Sequence, residues 1–424
     1  MKKTMSPTHL SLVLASLFLA LTNAQTPNKT PENHPKLQTY QCTKSTGCKP
    51  QTSRLVLDEM THPIHQLSAP SLPCTNLTSS SSPNSTICPD ALNCAKNCVI
   101  EGITDYTPHG VQTSGSSLSL SMLENGTSVS PRVYLLDEEG KKYDMLKLTG
   151  KEFTFDVDVS KLPCGMNGAL YLSEMEADGG ASKSSESKTG AAYGSGYCDA
   201  QCYVPAFLNG QPNVKSLGAC CNEMDIWEAN NVATSIAPHV CNQTSFYGCS
   251  GAECGFNGVC DQWGCSYNPY GQGNKDYYGP GLKVDTRRPF TVVTQFPTSN
   301  TTGKLTAIRR LYVQDGKVIK NAAVNITGTK AFDEVDTEYC SRPGGGTFMS
   351  LGGVEAMGDA LGRVAAALPS PPEYARNVFY LVNCQGTSSV SAQSAIASYA
   401  FNVAALSGNS PDELVKVGSS PFVS

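Results

Sequence analysis

Eighteen cysteines constrain this chain more than any other feature, and all of them lie downstream of an apolar leader. The leader opens Met1-Lys2-Lys3, runs uncharged and apolar from Leu10 to Leu21, and ends in the small-residue pattern Thr22-Asn23-Ala24. That pattern reads as a secretory signal peptide over residues 1–24, too short for a comfortable membrane span. An even cysteine count on an oxidising route implies nine disulfides and no metal centre. We therefore expect a secreted, extracellular and soluble monomer with no membrane association and no cofactor. Seven Asn-x-Ser/Thr triplets, at Asn28, Asn76, Asn84, Asn125, Asn242, Asn300 and Asn325, are candidate glycosylation sites. Loss of the two leader lysines takes the formal charge from −5 to −7. A mildly acidic surface without basic clusters argues against a nucleic-acid partner and suits a neutral polymer.

Behind the leader, apolar residues alternate in short runs bounded by Gly, Pro, Asn and Asp. Ser117–Met122, Arg132–Leu136, Phe153–Val157, Ala169–Ser173, Phe290–Phe296 and Leu305–Val313 all carry the period of two expected of strands. Asp315-Gly316 lies between β-formers and predicts a hairpin turn. Helical periodicity is scarce before residue 350. The 38 glycines and 26 prolines suit many turns. These patterns give an all-β class, a sandwich or jelly roll with long disulfide-stapled loops. Ser79–Pro83 is too short for an interdomain linker and reads as a loop. No repeat is present, so one large domain is expected over residues 25–363, followed by a tail of different character over 364–424.

The chemistry-bearing segment is Cys220-Cys221-Asn222-Glu223-Met224-Asp225-Ile226-Trp227-Glu228-Ala229. On a strand Glu223 and Asp225 share a face, whereas Glu228 has the opposite parity. A β-bulge between Asp225 and Glu228 would bring all three acids to one face, with Met224 and Ile226 turned into the core. Glycosidic cleavage needs a proton donor on the leaving oxygen and a carboxylate at the anomeric carbon, and two glutamates on one bulged strand can supply both. Asp225 would hydrogen-bond and orient the nucleophile, and mutual repulsion would raise the proton affinity of one acid. Cys220 and Cys221 are adjacent and point to opposite faces. Cys198 and Cys202 are their evident partners, and two such staples would place Asp199 and Gln201 beside the acids.

With these residues in place the sequence resembles family 7 glycoside hydrolases, a fungal cellulase family with a β-jelly-roll fold of two large antiparallel sheets. The likeness runs from about Asn33 to about Leu361. It is carried by Cys88-Pro-Asp-Ala-Leu-Asn-Cys94-Ala-Lys-Asn-Cys98, Leu162-Pro-Cys164-Gly-Met-Asn167-Gly-Ala-Leu-Tyr171, Glu174-Met-Glu-Ala-Asp-Gly-Gly180, the acid cluster, Pro238-His239-Val-Cys241 and Asn268-Pro-Tyr-Gly-Gln-Gly. The resemblance implies double displacement on β-1,4-glucan, with Glu223 as nucleophile, Asp225 as its helper and Glu228 as general acid/base. It implies cleft positions for Asn167, Tyr171, Asp199, Gln201 and His239. It also implies the pairs Cys42–Cys48, Cys74–Cys98, Cys88–Cys94, Cys241–Cys260, Cys249–Cys254, Cys265–Cys340 and Cys164–Cys384.

Two features favour internal cutting in an open cleft. Asn209–Cys220 lacks the long insertion of the tunnel-forming cellobiohydrolases, and no tryptophan follows Val56-Leu-Asp58, where many relatives carry one. The expected function is a secreted endo-β-1,4-glucanase acting on cellulose and related β-glucans. A mixed-linkage β-1,3-1,4-glucanase and a catalytically impaired glucan-binding relative are the alternatives. The last arises because the family pattern stops after Arg363. There Val364-Ala-Ala-Ala-Leu-Pro replaces an apolar strand and its tryptophans, and Ser391–Leu406 is Ala/Ser-rich where relatives have strands. The tail is either a divergent folded end or the product of a wrongly joined or frame-shifted gene end.

Overall fold

Two long strands form a hairpin near the start of the described chain. β1 (Lys36–Thr43) and β2 (Gly47–Leu57) pair antiparallel along their length, and Cys42 and Cys48 are both opposite in register and joined by a disulfide. This is a computed structural model, and it describes residues 26–43, 45–76, 79–183, 187–325, 330–342, 346–368 and 396–404. The leader therefore lies outside the described residues. None of the described helices is long and apolar enough to cross a membrane.

The strands that build the site and its support follow in chain order: β3 (Ser117–Ser121), β4 (Val133–Leu136), β5 (Glu152–Asp158), β6 (Gly168–Ser173), β7 (Glu223–Ala229), β8 (Thr234–His239), β9 (Phe290–Gln295), β10 (Ala307–Gln314), β11 (Lys317–Lys320), β12 (Val364–Leu368) and β13 (Ile396–Ala404). They lie in the order β8-β7-β6-β12-β4-β2-β1-β13-β5-β9-β10-β11, with β3 beside β13. The six predicted strand runs are all present within one or two residues. Asp315 and Gly316 both take positive φ, 52° and 70°, in the tight turn joining β10 to β11. Ser79–Pro83, read as a loop, instead forms a short strand paired with Thr75–Asn76, where an edge position tolerates its proline.

The sandwich arises because this ladder folds back on itself. Trp227 of β7 is fully buried and meets Phe155 of β5, Phe290 of β9 and Tyr312 of β10 edge-on, with ring centroids 6.1, 5.9 and 6.2 Å apart. Those contacts join the two leaves across one apolar core, the aligned packing that twisted sheets adopt. The two expected antiparallel sheets are thus the halves of one hydrogen-bonded ladder. It includes a parallel pairing where Gln41 and Cys42 of β1 meet Val403 and Ala404 of β13.

Both tail strands belong to this ladder. β12 lies between β6 and β4, with Ala366 in the sandwich core and Ala365 and Ala367 on the opposite face. β13 pairs with β5 along one edge and with β3 and β1 along the other. An Ala/Ser-rich segment can do this because ladder hydrogen bonds come from the backbone, and a place between two strands outweighs weak intrinsic preference. The described disulfides include Cys198–Cys221 and Cys202–Cys220 together with Cys74–Cys98, Cys88–Cys94, Cys241–Cys260, Cys249–Cys254 and Cys265–Cys340. Cys164 is disulfide-bonded too. Cys384, its expected partner, lies outside the described residues.

Candidate active site

The site is organised by a register shift in β7. Asp225 stands opposite Ala237 of β8 and Glu228 opposite Ser235, so two residues of β7 span one of β8. The same extra residue appears on the β6 side, where Leu170 and Leu172 face Trp227 and Met224. This is the bulge that the spacing of the acids calls for. Met224, Ile226 and Trp227 all enter the core, and Glu223, Asp225 and Glu228 remain together on the other face. Arg310 of β10 donates to the Ile226 carbonyl that the bulge exposes, and its guanidinium lies over the Trp227 ring.

Each acid has its own partner. The Ala200 backbone N–H donates to Glu223 Oε2 at 3.1 Å, and Asn167 Nδ2 donates to Glu228 Oε1 at 3.0 Å. His239 Nε2 donates to Asp225 Oδ2 at 3.1 Å, and its Nδ1 donates to the Asp261 carbonyl at 2.9 Å. The expectation that Asp225 hydrogen-bonds Glu223 is corrected: its described side-chain bond is to His239. A two-proton imidazolium satisfies the aspartate and the Asp261 carbonyl together.

Electrostatics follow from burial and crowding. Burial, then the nearby Asp225 charge, pushes Glu228 up to about 8. Burial, followed by Asp225 and Asp199, raises Glu223 well above the ordinary glutamate range, opposed by His239 and the Ala200 N–H. Burial also pushes Asp199 up to about 6, against the pull of Arg132. For His239, burial works against the imidazolium, but the hydrogen bond and charge of Asp225 prevail and push it up to about 10. Like charges this close cannot all ionise. Glu223 is directly opposite His239 in the ladder and holds the backbone N–H, so it is the better placed of the two glutamates to be the anion.

The loop 198–202 is clamped on this face. Cys198–Cys221 and Cys202–Cys220 fasten both its ends to the segment leading into β7, and the Asp199 carbonyl accepts from Cys221 N at 3.0 Å. Asp199 is fully buried beside the acids, whereas Gln201 turns toward the 262 loop, with its Nε2 3.5 Å from the Gln262 carbonyl. Tyr171 sits at the bulge position of β6, its ring edge-on to Tyr197 at 6.3 Å. All eight expected site residues thus lie on or beside one face.

Sequence reasoning missed two supports. Arg132 lies 3.6 Å above the Tyr197 ring and donates to Asp58 through Nε and Nη2, while the Tyr134 hydroxyl donates to the same oxygen at 2.6 Å. Glu174, fully buried, accepts from Asn222 Nδ2 and from Arg363 Nε, both at 2.6 Å, and Asn222 Oδ1 accepts from Cys241 N. That network pins the residue immediately before Glu223. An arginine and an acid in sequence give no sign of such pairing; their burial does. Phe207–Leu208 and Gln211–Pro212 form a tight hairpin, after which Asn213 Nδ2 donates to the carbonyls of Pro205 and Leu217.

A β-sandwich carrying a crowded carboxylate pair on one bulged strand can hold one acid protonated and another ionised, as a glycosidic bond-cleaving hydrolase requires. The chain belongs to glycosyl hydrolase family 7, whose sequence pattern matches residues 26–368. Endo-beta-1,4-glucanase celB of Aspergillus oryzae is 55% identical over 352 residues, covering 82% of this chain and 83% of that protein. Endoglucanase EG-1 of Humicola insolens is 52% identical over 356 residues, covering 83% and 81%. Among solved structures, an endoglucanase I complexed with cellobiose superposes with a TM-score of 0.85 at 46% identity, covering 90% of this chain and 99% of that one. A family 7 cellobiohydrolase from Daphnia pulex reaches 0.79 at 29% identity, covering 91% and 99%.

Proposed function

We propose that this protein is a secreted, monomeric endo-β-1,4-glucanase that cuts internal bonds of cellulose and related β-glucans with retention of configuration. The observation that carries this reading is the β7 bulge, which gathers buried Glu223 and Asp225 and half-buried Glu228 on one face. The Glu223 carboxylate attacks the anomeric carbon while the Glu228 carboxyl delivers its proton to the departing glycosidic oxygen. The C–O bond breaks, the shortened chain leaves with that proton, and the sugar remains as an ester on Glu223. Glu228, now ionised, takes a proton from water as the water oxygen attacks the same carbon, and Glu223 is released as the anion. Asp225 and His239 form an ion pair that keeps positive charge beside the nucleophile. Asn167 orients Glu228 through its amide N–H.

The many disulfides support an extracellular route, and the names of the relatives favour the endo-acting enzyme over a non-catalytic binder. The test is reducing-sugar release from carboxymethyl cellulose with viscosity followed in parallel, for the wild type and Glu223→Gln. A steep viscosity drop per bond cut that vanishes in the variant is expected. Secreted, folded wild type that releases no sugar would overturn the proposal.

A further inference from the structure

The protein has only two tryptophans, and they are placed very differently. Trp227 is sealed in the core, whereas Trp263 is 50% exposed and stacks on Phe256, itself 57% exposed. The two rings are 5.3 Å apart between centroids and only 13° from parallel. Neither is needed to close the sandwich core, and large rings left half in water by a chain with this much buried apolar area invite a ligand.

Their position ties them to the acids. The segment 261–265 runs along the end of β8: Asp261 N donates to the Val240 carbonyl at 2.8 Å and Cys265 N to the Pro238 carbonyl at 3.0 Å. Asp261 accepts from His239, and Gln262 donates to the carbonyls of Gln201 and Cys254. Gly264, at φ +71°, lies so close to the imidazole that an added Cβ would be 2.7 Å from His239 Cε1. Disulfides Cys249–Cys254, Cys241–Cys260 and Cys265–Cys340 hold the chain on both sides of each ring. The pair is therefore a rigid aromatic surface a few residues from the ion pair that supports the nucleophile.

The side on which it stands is informative. From β7 the acid-bearing leaf extends across β6, β12, β4 and β2 in one direction, but only across β8 in the other. At roughly 4.8 Å per strand the longer side spans about 19 Å. The glycosyl part stays bound through both chemical steps and needs the longer wall. The leaving part must depart between them and fits the shorter side, where Trp263 stands.

We propose that Trp263 and Phe256 form a stacking platform for a glucose unit of the leaving-group part of the glucan, and so set the preference for long over short substrates. The inference rests on the glucanase reading above. An aromatic ring offers the apolar face of a pyranose a large flat contact at little entropy cost.

The test compares Trp263→Ala, Trp263→Phe and Phe256→Ala with wild type on cellohexaose and on 2-chloro-4-nitrophenyl β-cellobioside, whose leaving group contains no sugar. For Trp263→Ala a roughly five- to tenfold loss in kcat/KM on cellohexaose is expected, the size of a lost aromatic contact. The aryl cellobioside should change less than twofold, and Trp263→Phe should keep most of the activity. Equal losses on both substrates, or no loss on either, would overturn the platform. A second readout needs no turnover: cellohexaose added to Glu223→Gln should shift the tryptophan emission, and adding Trp263→Phe should abolish the shift. A shift that survives this change would refute the proposal. Wild type inactive on both substrates would instead refute the glucanase reading, and the platform with it.

Discussion

Replacing His239 with Gln removes one positive charge from a buried group of four carboxyls while leaving an amide that can still donate to Asp225. His239 is 1% exposed, donates from both nitrogens, and is pushed up to about 10 from an ordinary 6.5. That rise corresponds to roughly 5 kcal/mol of preference for the imidazolium, an upper bound because Asp225 shares it. The group's folded value lies above its unfolded one. Its contribution to stability is therefore complete below about 6.5 and is lost as pH rises through about 10. Keeping one neutral hydrogen bond returns part of this, so His239→Gln should destabilise by about 3 kcal/mol at pH 6, within the range for breaking a buried pair. The deficit should shrink toward zero near pH 10, where the wild type loses the same charge. Loss of the cation also raises the proton affinity of Glu223, and kcat/KM on carboxymethyl cellulose should fall about 100-fold, the size of a charge-assisted bond. Urea unfolding at pH 6 and pH 10, with activity at the lower pH, measures both. A deficit independent of pH, or activity within threefold of wild type, would refute the reasoning.

The proton donor should set the alkaline limb of the activity profile. With Glu228 pushed up to about 8, kcat/KM should decline as pH rises through that value, and Glu228→Gln should lose this limb on a dinitrophenyl cellobioside, whose leaving group needs no proton. A limb that persists in the variant would assign it to another group. The tail strand can be tested by Tyr399→Pro, which removes a backbone donor where residue 399 faces Leu118 on one side and Val157 on the other. A proline inside a strand paired on both edges should cost ~3 kcal/mol or more, read as a lowered urea midpoint. An unchanged midpoint would show that β13 contributes nothing to the fold.

How much of this was legible in the residues depends on whether the signal is local. The strand runs at Arg132–Leu136 and Phe290–Phe296, the Asp315-Gly316 turn and the parity of Glu223, Asp225 and Glu228 are short-range patterns, and each is found where it is expected. Even the bulge was readable, because three acids and three apolar neighbours can be separated onto two faces in only one way. The hydrogen bond of Asp225 was not, since its partner is 14 residues away on the next strand. The exchange of Gln201 toward Gln262, the Asp58–Arg132 pair and the Arg363–Glu174–Asn222 network likewise join distant segments.

By itself the sequence determined the all-β class, the disulfide-stapled character and the cluster of acids proposed to cleave a glycosidic bond, because composition, period and cysteine count act along the chain. Only the tertiary structure decided which acid sits against a cation and which against a backbone N–H, and therefore how their protons are held. It also decided that an alanine-rich stretch occupies the middle of the sheet, where two neighbouring strands supply the hydrogen bonds and the core that its own side chains do not encode.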